Sequence, residues 1–275
     1  MDAATFPFFV SSNEKTNNNK NNIYMKKAGI TIIAVAAVAL TMMSSCRISY
    51  SDDDAKKVTQ IRKVKGFERV ELGGSITVVY RQADSISVKV TGPEDYINKV
   101  VITSDGTTLN IDAKTDWTHF GHIDSGDVTV YITSPDIVMA QLDGSGDFLG
   151  RGHIDTDNMK IYLKGSGDVD FDDIICDRLQ ADLVGSGDVD LKNVECKNAE
   201  LNLLGSGDVD AHVRNAATVK ATLRGSGDID ASLENCGSVD ANVLGSGDIS
   251  FKGNAKHLNK AIEGSGDIDT SELKI

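Results

Sequence analysis

The chain has 275 residues, with 26 glycines, only three prolines and 5% aromatics, which excludes an ordinary aromatic-rich core. Its formal net charge is −13, and the first 45 residues carry Lys15, Lys20, Lys26 and Lys27 against Asp2 and Glu14, leaving −15 for the rest. So acidic a surface repels phosphates and excludes nucleic acid as a partner.

Residues 1–24, with an Asn-rich stretch from Asn13 to Asn22, read as an upstream extension with no fold of its own, which makes Met25 the expected start. Residues 25–45 follow the order of a secretory signal. Met25-Lys26-Lys27 is basic, and Ala28 to Met43 is apolar but short for a membrane span. Met43-Ser44-Ser45-Cys46 closes it, and this ending resembles a bacterial lipoprotein signal, in which the mature protein begins at a lipid-modified Cys. Cys46 is therefore the expected lipidation residue and membrane contact, in the cell envelope and on the outer membrane, with either face open. Residues 46–60, including Asp52-Asp53-Asp54, read as a flexible tether.

Residues 61–275 read as one all-β domain. From Ile61 to about Val138 short alternating strands are punctuated by turns. The alternating apolar positions are Phe67, Val70 and Leu72, then Ile86, Val88 and Val90, then Val100 and Ile102, then Leu109 and Ile111, and Ser75 to Tyr80 is a β-branched run. Gly92-Pro93 breaks the chain, Glu94 to Asn98 fits one helical turn, and Asp105-Gly106 is a turn.

Over 135–275 a repeat takes over. Gly-Ser-Gly-Asp starts at Gly144, Gly165, Gly185, Gly205, Gly225, Gly245 and Gly264, and Asp124-Ser125-Gly126-Asp127 reads as a degenerate eighth copy. Apolar residues recur two, four and six positions before each tetrapeptide, as in Leu203, Leu201 and Ala199, and at the first and often third positions after it, as in Val189 and Leu191. One unit of about 20 residues, holding two or three short strands and one glycine turn, cannot bury its own inner face. Stacking copies about 4.8 Å apart in parallel buries every face in columns of like side chains. The fold expected is a parallel β-helix-like solenoid with about 20 residues per coil. Lys260 interrupts an inward column, which marks the last coil as an altered cap.

The opening Val64-Lys65-Gly66-Phe67-Glu68-Arg69-Val70, the segment Asp105-Gly106-Thr107-Thr108-Leu109 and the Leu-x-Gly-Ser-Gly-Asp-Val repeats together resemble the DUF2807 family, the putative auto-transporter adhesin head GIN domain. The resemblance covers about 64–275. It implies a right-handed β-helical body behind a signal or lipoprotein sequence.

In the tetrapeptide, Gly serves a tight corner, and Ser and Asp side chains can bond backbone N–H groups there. Asp147, Asp168, Asp188, Asp208, Asp228, Asp248 and Asp267 would form one acidic ladder, with Asp170, Asp190, Asp210, Asp230 and Asp269 beside it. Oxygen-rich ladders suit Ca²⁺, so the first set is the candidate cation site, although one turn per coil closes no cage. Cys176, Cys196 and Cys236 share a column with Ala216 and read as free buried thiols. His119 and His122, near Trp117 and Phe120, are the only His pair and read as a loop.

No catalytic motif stands out, so the chain reads as a non-enzyme. The expected role is structural or adhesin-like binding of a glycan or protein partner. The alternatives are a Ca²⁺-binding envelope protein and a polysaccharide-acting β-helix enzyme. A deep groove beside the Asp ladder with clustered Arg or Lys would favour the enzyme.

Overall fold

A computed structural model describes residues 57–113 and 127–275. Cys46, the Asp52–Asp54 run and His119 and His122 lie outside the described residues, as do Asp124 to Gly126. The described part is a parallel β-solenoid of about seven turns, roughly 20 residues each.

The repeat forms its upper coils as the sequence predicts. Strands β8 (Met139–Gly144), β9 (Asp147–Gly165), β10 (Asp168–Gly185), β11 (Asp188–Gly205), β12 (Asp208–Arg214), β13 (Thr218–Gly225), β14 (Asp228–Gly245), β15 (Ile249–Gly264) and β16 (Ile268–Lys274) stack with parallel ladders. Equivalent residues of successive copies lie in register, as in Leu183↔Leu203 and Val169↔Val189. The column Leu142, Leu163, Leu183, Leu203, Leu223 and Val243 is at most 1% exposed. Each fully buried side chain of this kind contributes about 1.5–3 kcal/mol.

Three inward runs line each coil. In one coil they are Val189 and Leu191, then Val194 and Cys196, then Ala199, Leu201 and Leu203, all buried. The alternation slips phase between runs, where the chain bends. Pairing runs through most bends, so several coils are single strands of 16 to 19 residues. Within the second inward run, between Val213 and Ala216 and between Leu233 and Cys236, the chain carries asparagines in the left-handed region, Asn215 at φ 61 and Asn235 at φ 54. Their amides stack, with Asn235 Nδ2 donating to Asn215 Oδ1 at 2.9 Å. In the first copy Ile137, not Val138, enters the core.

The strands before the repeat are the bottom of the same stack. They are β1 (Lys57–Ile61), β2 (Arg69–Gly74), β3 (Thr77–Gln82), β4 (Ser87–Pro93), β5 (Val100–Ser104), β6 (Thr108–Ala113) and β7 (Thr129–Ser134), with a one-turn helix α1 (Glu94–Ile97). β2 pairs in parallel with both β6 and β8, and β3 with both β7 and β9. The β2–β3 layer therefore sits between layers that follow it in sequence. Antiparallel partners finish this end, β5 on β6 and β4 on β7, with β1 outermost on β4. β1 takes Lys57 to Gln60, which the sequence assigns to the tether. Ile86, one of the alternating apolar positions, is 41% exposed because strand pairing begins only at Ser87.

At the other end Lys260, whose column below is Ala, turns its ammonium aside. It donates to the Ile268 carbonyl at 2.9 Å and to Thr270 Oγ1 at 2.7 Å. A charged residue at an inward position blunts an open sheet end against further pairing.

Candidate functional site

The tetrapeptide forms one corner of every coil. Its first glycine has positive φ, 150° at Gly205. Its second has no such requirement, but a Cβ on Gly207 would meet the backbone carbonyl of Gly187 in the coil below. The two glycines thus answer two constraints, conformation and close approach. The corners hold together through backbone bonds, Ser206 N–H to Gly185 O at 2.9 Å being typical. Serine contributes this N–H. Its exposed side chain takes no part in the corner's hydrogen bonds, unlike the sequence expectation.

Aspartate does make the expected bond, and it makes it between coils. Asp188 Oδ1 accepts the N–H of Asp208 at 3.1 Å, and Asp208, Asp228 and Asp248 accept from Asp228, Asp248 and Asp267 at 3.1, 3.0 and 2.7 Å. Asp147 accepts from Thr77 Oγ1 at 3.0 Å. That contact identifies a corner the sequence reading missed. Gly74 pairs with Gly144 and Thr77 with Asp147, so Gly74-Ser75-Ile76-Thr77 is the tetrapeptide of the layer below. The retained Gly-Ser before a β-branched strand was its only signal. Thr129 pairs with Thr77, so Asp127 falls off the ladder position that the degenerate copy assigned to it.

The seven ladder aspartates therefore come together in one row, and Asp168, Asp188, Asp208, Asp228 and Asp248 each accept from the next coil's backbone. Burial raises the pKa of Asp168 against the bond from the Asp188 N–H, and the charges of Asp188 and Asp147 raise it further. Among the described residues, no three His, Cys, Asp or Glu side chains converge as a metal-holding group.

The second acidic row stands beside the first, Asp170, Asp190, Asp210 and Asp230 in register. It borders a shallow outer groove of about 350 Å³, with Lys192, His212 and Lys252 along the far side. Burial pushes the Asp190 and Asp210 carboxyls up, and their charged neighbours along the row add to it. Lys192 is already committed, 2.8 Å from Asp170 and 3.4 Å from Asp172. Asp172 lies low in pKa, chiefly through the Gly152 N–H and then Lys192 and Arg151.

Cys176, Cys196 and Cys236 are free and buried, in the predicted column. Cys176 and Cys196 are in-register neighbours. The Cys196 hydrogen bond pulls the Cys176 thiol down, while the same bond and burial push Cys196 up.

The profile of the family described as "putative auto-transporter adhesin, head GIN domain" matches residues 66–255. Among solved structures, a putative adhesin from Bacteroides fragilis is 27% identical with a TM-score of 0.68, covering 78% of this chain and 96% of its own. A putative lipid binding protein from Parabacteroides distasonis is 23% identical with a TM-score of 0.62, covering 78% and 97%. A putative adhesin from the same species is 19% identical with a TM-score of 0.63, covering 78% and 97%. These last two share the fold alone. Among curated proteins none matches the sequence.

Proposed function

The chain belongs to the DUF2807 family, the putative auto-transporter adhesin head GIN domain, and from that premise we propose that it is a lipid-anchored cell-envelope protein whose solenoid presents a binding face and catalyses nothing. One observation carries the reading. The most regular acidic row of the molecule serves the backbone of the next coil, bond after bond. Side chains spent in this way make a rigid rod with a flat, repeating exterior, suited to holding a partner at a distance from the membrane.

The anchor is Cys46, carrying lipid after removal of residues 25–45, and the membrane is the outer one. Similarity to the putative adhesin from Bacteroides fragilis supports a role at the cell surface or envelope. The partner is a glycan or a protein. Intact mass of the detergent-extracted protein tests the anchor: a lipid-sized mass addition at Cys46 is expected, and an unmodified Cys46 overturns it. Binding of the lipid-free domain to a glycan array and to host-cell surfaces tests the role; silence on both overturns it.

The groove beside Asp190, Asp210 and Asp230 favours a second reading, a polysaccharide-acting enzyme, because Lys192, His212 and Lys252 face the acids. That reading stays second for a physical reason. Acid–base catalysis by two carboxylates needs their pKa values pushed apart, whereas Asp190 and Asp210 are both pushed up. Reducing-end release from acidic polysaccharides would restore it.

A further inference from the structure

On a different wall, the three positions before each glycine corner alternate out, in and out. The outermost column reads Val184, Leu204, Arg224 and Leu244 in register. A polar column runs alongside, including Thr222 and Asn242. Between them lies a groove of about 350 Å³ that includes Leu204, Thr222, Arg224 and Asn242 in its lining.

Two features set this groove apart from the rest of an acidic surface. Leu204 is 52% exposed, where an outward strand position is ordinarily polar. Arg224 sits directly above it and below Leu244, and has neither an ion pair nor a hydrogen bond among the described residues. Of the other cations on this wall, Lys164 is held by Asp143 at 3.2 Å and Lys220 by Glu200 at 3.0 Å. The Thr222 hydroxyl and the Asn242 amide are likewise without partners. Toward the opposite end of the groove the polar groups are satisfied internally, Asn202 Nδ2 donating to Asp182 Oδ1 at 2.9 Å.

The open end thus offers a guanidinium between two leucines, one hydroxyl and one amide. A carboxylate answers the guanidinium, with bidentate geometry. A face of C–H groups answers the leucines. Hydroxyls answer Thr222 and Asn242. A simple anion leaves the leucines unused, and a fatty acid leaves Thr222 and Asn242 unused. We infer that this groove binds a sugar acid, a uronic-acid unit within a linear glycan running along the solenoid axis. The inference rests on the binding role proposed above and names the ligand class for it.

The test is calorimetric titration of the lipid-free protein with tetragalacturonate and with its fully methyl-esterified form. The acid is expected to bind and the ester to bind at least about tenfold more weakly. Arg224→Gln should weaken the acid about 10- to 100-fold, as expected for lost hydrogen bonds to a charged group, and leave the ester unchanged. Thr222→Val should weaken both. An unchanged melting temperature checks that each variant is folded. Equal binding of acid and ester, or full affinity in Arg224→Gln, overturns the groove while leaving the adhesive role standing. Capture of phosphatidylglycerol vesicles with no response to the oligosaccharide overturns it in favour of a lipid surface. Failure of every carboxylated oligosaccharide overturns the inference, and the array and cell-surface binding then decide the broader role separately.

Discussion

Replacing Gly207 with alanine isolates close approach from backbone conformation, because this glycine needs no positive φ. The new Cβ would lie 3.0 Å from the carbonyl carbon of Gly187 and closer still to its oxygen. The oxygen is the tighter of the two contacts, and moving it out to ordinary van der Waals distance lifts the corner by more than about 1 Å. Two inter-coil bonds flank that corner, Ser206 N–H to Gly185 O at 2.9 Å and Asp208 N–H to Asp188 Oδ1 at 3.1 Å. A lift of that size takes both past hydrogen-bonding distance. Losing them costs about 0.5–1.5 kcal/mol each, and overpacking adds about 1–3. The total, about 2–6 kcal/mol, lowers the melting temperature by roughly 4–24 °C for a domain of this size. Thermal melts followed by circular dichroism, with hydrogen exchange at the Ser206 and Asp208 amides, measure it. Ser206→Ala, on the exposed neighbour, should stay within about 0.5 kcal/mol. If Gly207→Ala melts within about 2 °C of the parent, the close approach does not constrain the stack and the reasoning is wrong.

Asp228→Ala strands the Asp248 N–H and should cost about 1–2 kcal/mol in a denaturant melt, while Asp228→Asn keeps an acceptor and should cost less. Asp210→Asn removes repulsion along the second row and should raise stability at neutral pH and low salt by less than about 1 kcal/mol, the gain fading in high salt. The sign with pH follows from the raised Asp210 carboxyl: its favourable contribution is present when protonated and lost as pH rises through the folded pKa, so acidification should narrow the gap between parent and variant. Cys176, Cys196 and Cys236 should resist an aromatic disulfide reagent in the native state and react in denaturant; fast native reaction would contradict their burial. If the aspartate ladder serves the backbone alone, a calcium chelator leaves the melting temperature unchanged, and a fall would revive the cation reading.

The columns were legible because burial recurs at one spacing. Leu163, Leu183 and Leu203 occupy the same place in successive copies, and alternate residues within a strand must face alike. Lys260 was legible as a cap for the same reason, since a cation cannot continue an apolar column. What escaped the sequence lacks that recurrence. The corner Gly74-Ser75-Ile76-Thr77 keeps only its first two residues, and its neighbour in space, Gly144, is 70 positions away. The bend at Asn215 and Asn235 rests on a residue type that tolerates positive φ without demanding it. Serine's role was misassigned because its side chain and its backbone N–H are equally available in a written sequence, and only the stacked geometry selects the N–H. The groove around Arg224 escaped the sequence because Leu204 and Arg224 become neighbours only once coils are in register.

The insertion of β2 and β3 between later strands has a consequence in time. Each coil above Gly165 rests on a segment made about 20 residues earlier, so short loop closures can add coils one after another. The bottom layer cannot seat in that way. Its upper neighbours, β8 and β9, emerge 70 residues after it. During synthesis or export from the N-terminus, β2 and β3 wait with open edges until the first tetrapeptide arrives. The oldest layers thus wait about 70 residues for their cover, where each later coil waits about 20, and a chain cut before Gly144 would present those edges to any passing strand.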